Sequence, residues 1–148
     1  MTPMQIDLVE QTLTIVDVDD LAGEFYRRAF SSDPSLAALF DGPIAEQHAR
    51  FAAELCEIVR SIRALDSFTS RARELGARHH GRGVRAAHYR FMGDVLLATM
   101  AATLGADWSD ERAAAWAAGY DLIAEAMMAG ALPADPTRTT AQTTARTC

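Results

Sequence analysis

The sequence predicts one all-α domain of six or seven helices. Apolar residues recur at steps of three and four along most of the chain, which is the spacing of helices that bury one face. The breaks between these stretches coincide with proline, glycine and aspartate clusters, and no segment shows the strict alternation of a half-buried strand. A chain of 148 residues is also long enough to bury a single hydrophobic core.

The first half of the chain predicts three helices and one short helical turn. Residues 4–15 are amphipathic, and three aspartates at 17–20 supply capping groups and negative charge for the second helix. That helix ends before Pro34, because proline disfavours helical geometry in the preceding residue. A short turn over 35–40 leads to a loop and then to a helix from 44 to about 65. One stripe of this helix is continuous: Gln47, Phe51, Leu55, Ile58 and Ile62.

The second half predicts three more helices and a tail. They cover roughly 67–80, 86–104 and 110–129, with glycines after the first and Ser109 as the N-cap of the last. From residue 132 onward the chain is rich in threonine and has no apolar periodicity. We therefore expect a folded domain over 1–131 and a disordered polar tail over 132–148.

Composition narrows the class of protein. The formal net charge of −6 argues against a nucleic-acid binder. No apolar run is long enough to span a membrane and the N-terminus does not resemble a signal peptide, so a cytoplasmic protein is expected. Cys56 and Cys148 provide no framework for disulfides or zinc, and Cys56 is most simply a small core residue.

Four histidines are the main candidates for chemistry: His48, His79, His80 and His88. None of them forms an HExxH motif or pairs with cysteines at zinc spacing. There is no GxSxG motif and no phosphate-binding glycine loop between a strand and a helix. Taken singly, each histidine is more simply explained as a structural residue.

Four segments together resemble the bacterial haemoglobin family, which comprises single-domain haemoglobins and the globin domain of flavohaemoglobins. The segments occur in the family's order and at similar spacing. They are FYRRAFSSDPSLAALF (25–40), QHARFAAELCEIVRSI (47–62), RHHGRGVRAAHYRFMGDVLLATM (78–100) and ADWSDERAAAWAAGYDLIAEAMM (106–128).

The resemblance implies a globin fold around haem b, with His79 as the proximal iron ligand. It places Tyr26, Gln47 and Phe51 on the side where a gas ligand binds. The remaining residues that it assigns to contact with the cofactor are Phe40, Leu55, Val84 and Tyr89. A register shift of one residue would exchange Gln47 for His48, and the apolar stripe of that helix favours Gln47.

One position departs from the family pattern. Flavohaemoglobins and their single-domain relatives resembled here place a glutamate near the end of the last helix, against the proximal histidine and tyrosine. The matching position falls at about Ala131, and Glu125 lies nearly two turns too early. Without a carboxylate partner the imidazole donates less electron density to iron, which weakens the case for peroxidase-like or rapid dioxygenase chemistry.

Several functions remain open. The resemblance favours reversible binding of O2 for storage, delivery or buffering, with NO and CO as further ligands, in a monomer or homodimer. The alternatives are nitric oxide dioxygenation with a separate reductase, a gas-sensing module, and a helical bundle without a cofactor. Oxygen binding is favoured over the enzyme.

The arginines of 71–90 also allow two interpretations. This stretch has Glu74 as its one acidic residue beside six arginines: Arg71, Arg73, Arg78, Arg82, Arg85 and Arg90. They form either a solvated helix face and loop, or a set of which one or two members pair with the haem propionates. The same stretch is also the part of the chain that favours docking of a partner.

Overall fold

The computed structural model describes residues 1–132 and contains six α-helices there. Their bounds are α1 Pro3–Ile15, α2 Val18–Ser32, α3 Ile44–Ser61, α4 Leu65–Gly81, α5 Ala86–Leu104 and α6 Asp110–Gly130. Short 3-10 helices cover Pro34–Leu39 and Gly105–Asp107. The expected disordered tail, from residue 133 on, lies outside the described residues, as does Cys148. The predicted all-α architecture is confirmed.

The helix starts follow the capping chemistry of the sequence. The side chain of Asp17 accepts hydrogen bonds from the backbone N–H groups of Asp19 and Asp20, both at 3.0 Å, at the start of α2. The hydroxyl of Ser109 accepts one from the N–H of Arg112 at 3.2 Å at the start of α6. Both predicted caps are therefore confirmed, and each satisfies N–H groups that have no partner within their own helix.

Helices α4 and α6 approach each other more closely than ordinary side chains allow. A Cβ atom added at Gly76 of α4 would overlap the carbonyl oxygen of Met127, and one at Gly130 of α6 would overlap that of Arg73. The two glycines thus remove the side-chain layer from the crossing. As a consequence, the backbone of α6 fixes the position of α4.

The buried side chains form three clusters. The largest joins α1, α2, α3, α5 and α6, and includes Leu21, Phe25 and Met100. A second lies where α4, α5 and α6 meet, around Ala72 and Tyr89. A third joins α3 and α4 through Ile58, Ile62 and Phe68. Cys56, expected in the core, is half-buried.

A buried hydroxyl connects the first helix to the last. Thr12 of α1 is fully buried, and its oxygen accepts hydrogen bonds from Trp116 Nε1 and Arg112 Nη1, both at 2.9 Å. It donates its own proton to the carbonyl of Leu8 at 2.7 Å.

None of the helices in residues 1–132 is long and apolar enough to cross a lipid bilayer.

Adding one methyl group at Gly76, in the α4–α6 crossing, should have a large effect on stability. Gly76→Ala should lower the free energy of unfolding by about 3 kcal/mol or more, because the added methyl group meets backbone that cannot rotate away. Urea unfolding followed by far-ultraviolet circular dichroism measures it. Gly81→Ala is the matched control, since a Cβ there meets nothing within 4 Å. Equal stability of the two variants would contradict the close approach.

Candidate functional site

Tyr26 lies at the centre of a group of aromatic rings on the inner face of α2. It is 3% exposed. The rings of Phe40 and Phe51 meet it edge to face, with centroids at 5.4 and 5.7 Å, and Phe25 does so at 5.2 Å. Edge-to-face contacts on several sides restrict the ring to one orientation. The 3-10 helix Pro34–Leu39, which leads into Phe40, and α3 therefore fix the direction of the Tyr26 hydroxyl.

Gln47 is the polar partner of that hydroxyl. Its Nε2 donates a hydrogen bond to the Tyr26 oxygen at 2.9 Å, while its Oε1 accepts one from Arg50 Nη2 at 3.3 Å. A guanidinium group can only donate, so Arg50 selects the amide oxygen and turns the amide nitrogen toward Tyr26. Because the phenol oxygen accepts from Gln47, its own proton stays available for another acceptor.

His48 contacts the same tyrosine from a different side. Its imidazole stacks on the face of the Tyr26 ring, with centroids 5.2 Å apart and an angle of 13° between the planes. Its Nδ1 faces α2, 3.9 Å from where a Cβ of Gly23 would lie. The buried Nε2 has no hydrogen-bond partner in the described residues. Gln47, then, contacts the hydroxyl and His48 contacts the ring.

His79 lies near the end of α4 with its two ring nitrogens in different environments. Nδ1 is 2.9 Å from the carbonyl oxygen of Leu75, one turn earlier. A carbonyl can only accept, so Nδ1 carries the proton and Nε2 keeps its lone pair. Burial lowers the pKa of His79, which favours the neutral form. A neutral imidazole whose second nitrogen is fixed by a backbone carbonyl is the form that ligates a metal.

Tyr89 and Val84 border the same side as His79. The Tyr89 ring is buried and nearly parallel to that of His79, with centroids 6.4 Å apart. Val84 packs against the cluster that contains Tyr89. The hydroxyl of Tyr120, which no sequence motif marked, donates to the Tyr89 carbonyl at 2.6 Å. That contact needs Gly93, where a Cβ would come within 2.5 Å of the Tyr120 ring.

The candidate residues thus form two groups carried by different helices. Phe40, Phe51 and Leu55 belong with Tyr26 to the largest cluster, whereas Val84 and Tyr89 belong to the second one. The first group offers a phenol and an amide, and the second offers an imidazole lone pair. The donor types present are thus one unprotonated imidazole nitrogen, which suits a metal such as iron, and a phenol and an amide, which suit a polar ligand of that metal.

A family model described as Globin matches residues 23–127, which covers both groups. The chain belongs to the globin family. Membership of this family supports the binding of haem, and the globin fold predicted from the sequence is confirmed.

Curated relatives of this globin include flavohemoproteins. That of Rhizobium meliloti is 27% identical over 130 residues, which are 84% of this chain and 32% of the relative. That of Bordetella pertussis is 30% identical over 111 residues, which are 73% of this chain and 28% of the relative. The globin described here therefore spans about a third of the length of these relatives.

Two solved structures share the fold. A bacterial globin from Campylobacter jejuni superposes with a TM-score of 0.78 at 24% identity, covering 88% of this chain and 96% of that one. A hexacoordinated heme protein from an anhydrobiotic tardigrade gives a TM-score of 0.80 at 13% identity, covering 88% and 95%. At these identities the likeness concerns the fold alone.

The last helix of this globin has no carboxylate where the resemblance placed one, near its end. Glu125 is exposed on α6, and Ala131 caps that helix, so residues 126–132 contribute no acidic side chain. The Nδ1 proton of His79 goes to the neutral carbonyl of Leu75. A neutral acceptor leaves the imidazole less basic than a carboxylate would.

The burial of the three tyrosines predicts how the free energy of unfolding changes at alkaline pH. Burial raises the pKa of Tyr26, Tyr89 and Tyr120 above the ordinary value of about 10. As pH rises past 10, the unfolded chain loses these protons first, so the free energy of unfolding should fall with pH. Absorbance at the phenolate band should rise at higher pH in the native protein than in concentrated urea. Coincident curves would contradict the burial.

Proposed function

We propose that this globin binds haem b and holds O2 reversibly, with His79 as the iron ligand and Tyr26 and Gln47 facing the gas. The observation that carries the proposal is the Gln47–Tyr26 hydrogen bond, which leaves the phenol proton free to be donated. When bound, haem would supply an iron centre able to take a diatomic gas. The roles below are those of the chain's own side chains.

On the proximal side, His79 would hold the metal through Nε2. The bond from Nδ1 to the Leu75 carbonyl orients the ring, and the Tyr89 ring lies beside it with centroids 6.4 Å apart. Burial lowers the pKa of His79 and so favours the neutral imidazole that a metal binds.

On the distal side, Tyr26 would stabilise O2 by donating its hydroxyl proton. Bound O2 carries partial negative charge, so a hydrogen bond to it is charge-assisted and contributes on the order of 1–3 kcal/mol in a site shielded from water. Phe40 and Phe51 exclude water from the phenol, and Gln47 keeps its oxygen occupied. The expected result is a slow release of the gas.

Nitric oxide dioxygenation with a separate reductase is the second candidate. The observation that favours it is the likeness to flavohemoproteins over most of this chain. The lack of an acidic residue over 126–132 weighs against rapid turnover. Nitrate formation from O2 and NO, measured with a reductase present, separates the enzyme from the oxygen carrier.

Replacing the proposed iron ligand tests the haem site. His79→Ala should abolish or alter the absorption spectrum of the carbon-monoxide form, because the proximal nitrogen is lost. His80→Ala is the matched control, since His80 is the exposed neighbour on α4. Spectra of the ferric, ferrous and carbon-monoxide forms measure the difference. A spectrum that is indifferent to His79, or equally changed by both variants, would refute the assignment.

Replacing the phenol tests the distal role. Tyr26→Phe should speed O2 dissociation by roughly 10- to 100-fold, because the ring packing remains while one charge-assisted hydrogen bond of about 1–3 kcal/mol is lost. Tyr120→Phe removes another buried hydroxyl, one that bonds to backbone, and should change the rate little. Stopped-flow mixing of the oxygenated protein with carbon monoxide gives both rates. An unchanged rate in Tyr26→Phe would exclude the proposed role.

A further inference from the structure

The positive charge of this chain is concentrated around the end of α4. Residues 75–93 contain four arginines, three histidines and no acidic residue. The other 129 residues contain 20 acidic side chains and 10 arginines. A chain of net charge −6 therefore carries a local segment of +4, and the rest of the molecule carries −10. Such separation of charge is the pattern that steers an anionic partner to one face.

The arginines of this segment also differ from most of the others in how they are paired, although Arg73 and Arg112 likewise have no carboxylate within ion-pair distance in residues 1–132. Six arginines elsewhere lie within ion-pair distance of a carboxylate: Arg27, Arg28, Arg50, Arg60, Arg63 and Arg71. Within residues 1–132, by contrast, Arg82, Arg85 and Arg90 are exposed and have no such partner, and Arg78 has one distant contact at 3.9 Å. Unpaired guanidinium groups keep their full charge for a second molecule.

The exposed cationic and imidazole side chains at the end of α4 and the start of α5 are named the α4–α5 face: Arg78, His80, Arg82, Arg85 and Arg90. Arg78 and Arg82 are one helical turn apart. Arg85 donates to the carbonyls of Val84 and His80, at 3.0 and 3.2 Å, across the C-terminus of α4. Its backbone N–H donates to His88 Nδ1 at 2.9 Å, which starts α5. The loop that carries the charge is therefore fixed in place.

We propose that the α4–α5 face docks an electron-carrier protein whose own redox centre is ringed by carboxylates. The inference rests on the proposed haem site. His79, its proposed iron ligand, lies within the same segment as the unpaired arginines, so a carrier seated there delivers its electron beside the metal. The carrier loses one electron and ferric haem gains one, and no bond is made or broken.

Charge complementarity favours an acidic protein over a nucleic acid. A phosphate backbone extends well beyond four arginines, and the remaining −10 of the chain would repel it. A compact acidic protein meets only the α4–α5 face. Planar guanidinium groups also match carboxylates through paired hydrogen bonds, which favours a specific orientation.

Kinetics with two reductants of opposite charge test the docking. The haem-loaded ferric protein is reduced anaerobically in stopped flow, once by the hydroquinone of a purified flavodoxin of net negative charge and once by the methyl viologen radical cation. The wild-type rate with flavodoxin should fall as salt is added. The double variant Arg82→Glu/Arg90→Glu should lose at least tenfold in that rate at low ionic strength. It should be reduced by the viologen radical at least as fast as the wild type.

A matched variant separates the face from net charge. Arg27→Glu/Arg60→Glu changes the charge by the same amount at exposed positions on α2 and α3. Its rate with flavodoxin should stay within about twofold of the wild type. An equal loss in both double variants would overturn the proposal, because bulk charge would then explain the effect.

Binding gives a readout that does not depend on electron transfer. Amide shifts of the ¹⁵N-labelled carbon-monoxide form, titrated with the same flavodoxin, should change over 78–90 and revert with salt. Loss of haem from Arg82→Glu/Arg90→Glu, with slower reduction by both reductants, would overturn the proposal and assign these arginines to the haem propionates. A rate of reduction by flavodoxin that does not depend on salt, in the haem-loaded wild type, would overturn the docking proposal and leave the proposed function standing. Failure of the wild type to take up haem would overturn the proposed function as well.

Discussion

Helices α4 and α6 cross with their backbones in direct contact, since Gly76 and Gly130 leave no side-chain layer between them. The crossing fixes α4 along its length, and α4 carries His79 on its last turn. A side chain at either glycine would push the helices apart, and the imidazole would move with α4. The geometry of the candidate iron ligand thus depends on two residues that have no chemistry of their own. Close-packed interiors transmit displacement in this way.

The surroundings of Tyr26 are organised by a different principle. Tyr26 is held by aromatic rings from α2, the 3-10 helix and α3, so its orientation is set by packing. The hydrogen-bond direction is then set by a chain of donors that runs from Arg50 through Gln47 to the phenol oxygen. In this series of hydrogen bonds each group can donate or accept in one way only. The phenol proton of Tyr26 is therefore not used by any of them. Packing therefore aims the group and polar contacts decide what it can donate.

Arginines are paired with carboxylates over most of this molecule and largely unpaired in one part of it. Over most of the chain arginines lie beside carboxylates, and exposed pairs of this kind contribute little to stability. Around the end of α4, Arg82, Arg85 and Arg90 are exposed and have no carboxylate within ion-pair distance in residues 1–132, and Arg78 has one distant contact, so positive charge accumulates there. The neutral carbonyl that holds His79 belongs to the same region. The region around His79 thus combines an imidazole held by a neutral carbonyl with exposed arginines at the end of α4.

The sequence by itself determined the elements that depend on near neighbours. Helix bounds follow from caps such as Asp17 and Ser109 and from apolar spacing, all within a few residues. The acceptor for His79 was within reach of the same reasoning, because Leu75 lies one turn earlier on its helix. The four family-like segments and their order also fixed the globin fold, since the family model covers the same part of the chain.

Only the tertiary structure decided the contacts between residues far apart in the chain. Tyr26 and Gln47 are 21 positions apart, and their bond exists because α2 packs on α3. The close crossing of α4 and α6 at Gly76 and Gly130 likewise depends on how helices pack. So does the contact between the Tyr120 ring and Gly93. The family resemblance singled out Tyr26 and Gln47, whereas no sequence pattern singled out the glycines at 76, 93 and 130. Local patterns set the secondary structure because backbone capping is short-ranged, whereas the direction of a side chain's hydrogen bond depends on which helices meet there.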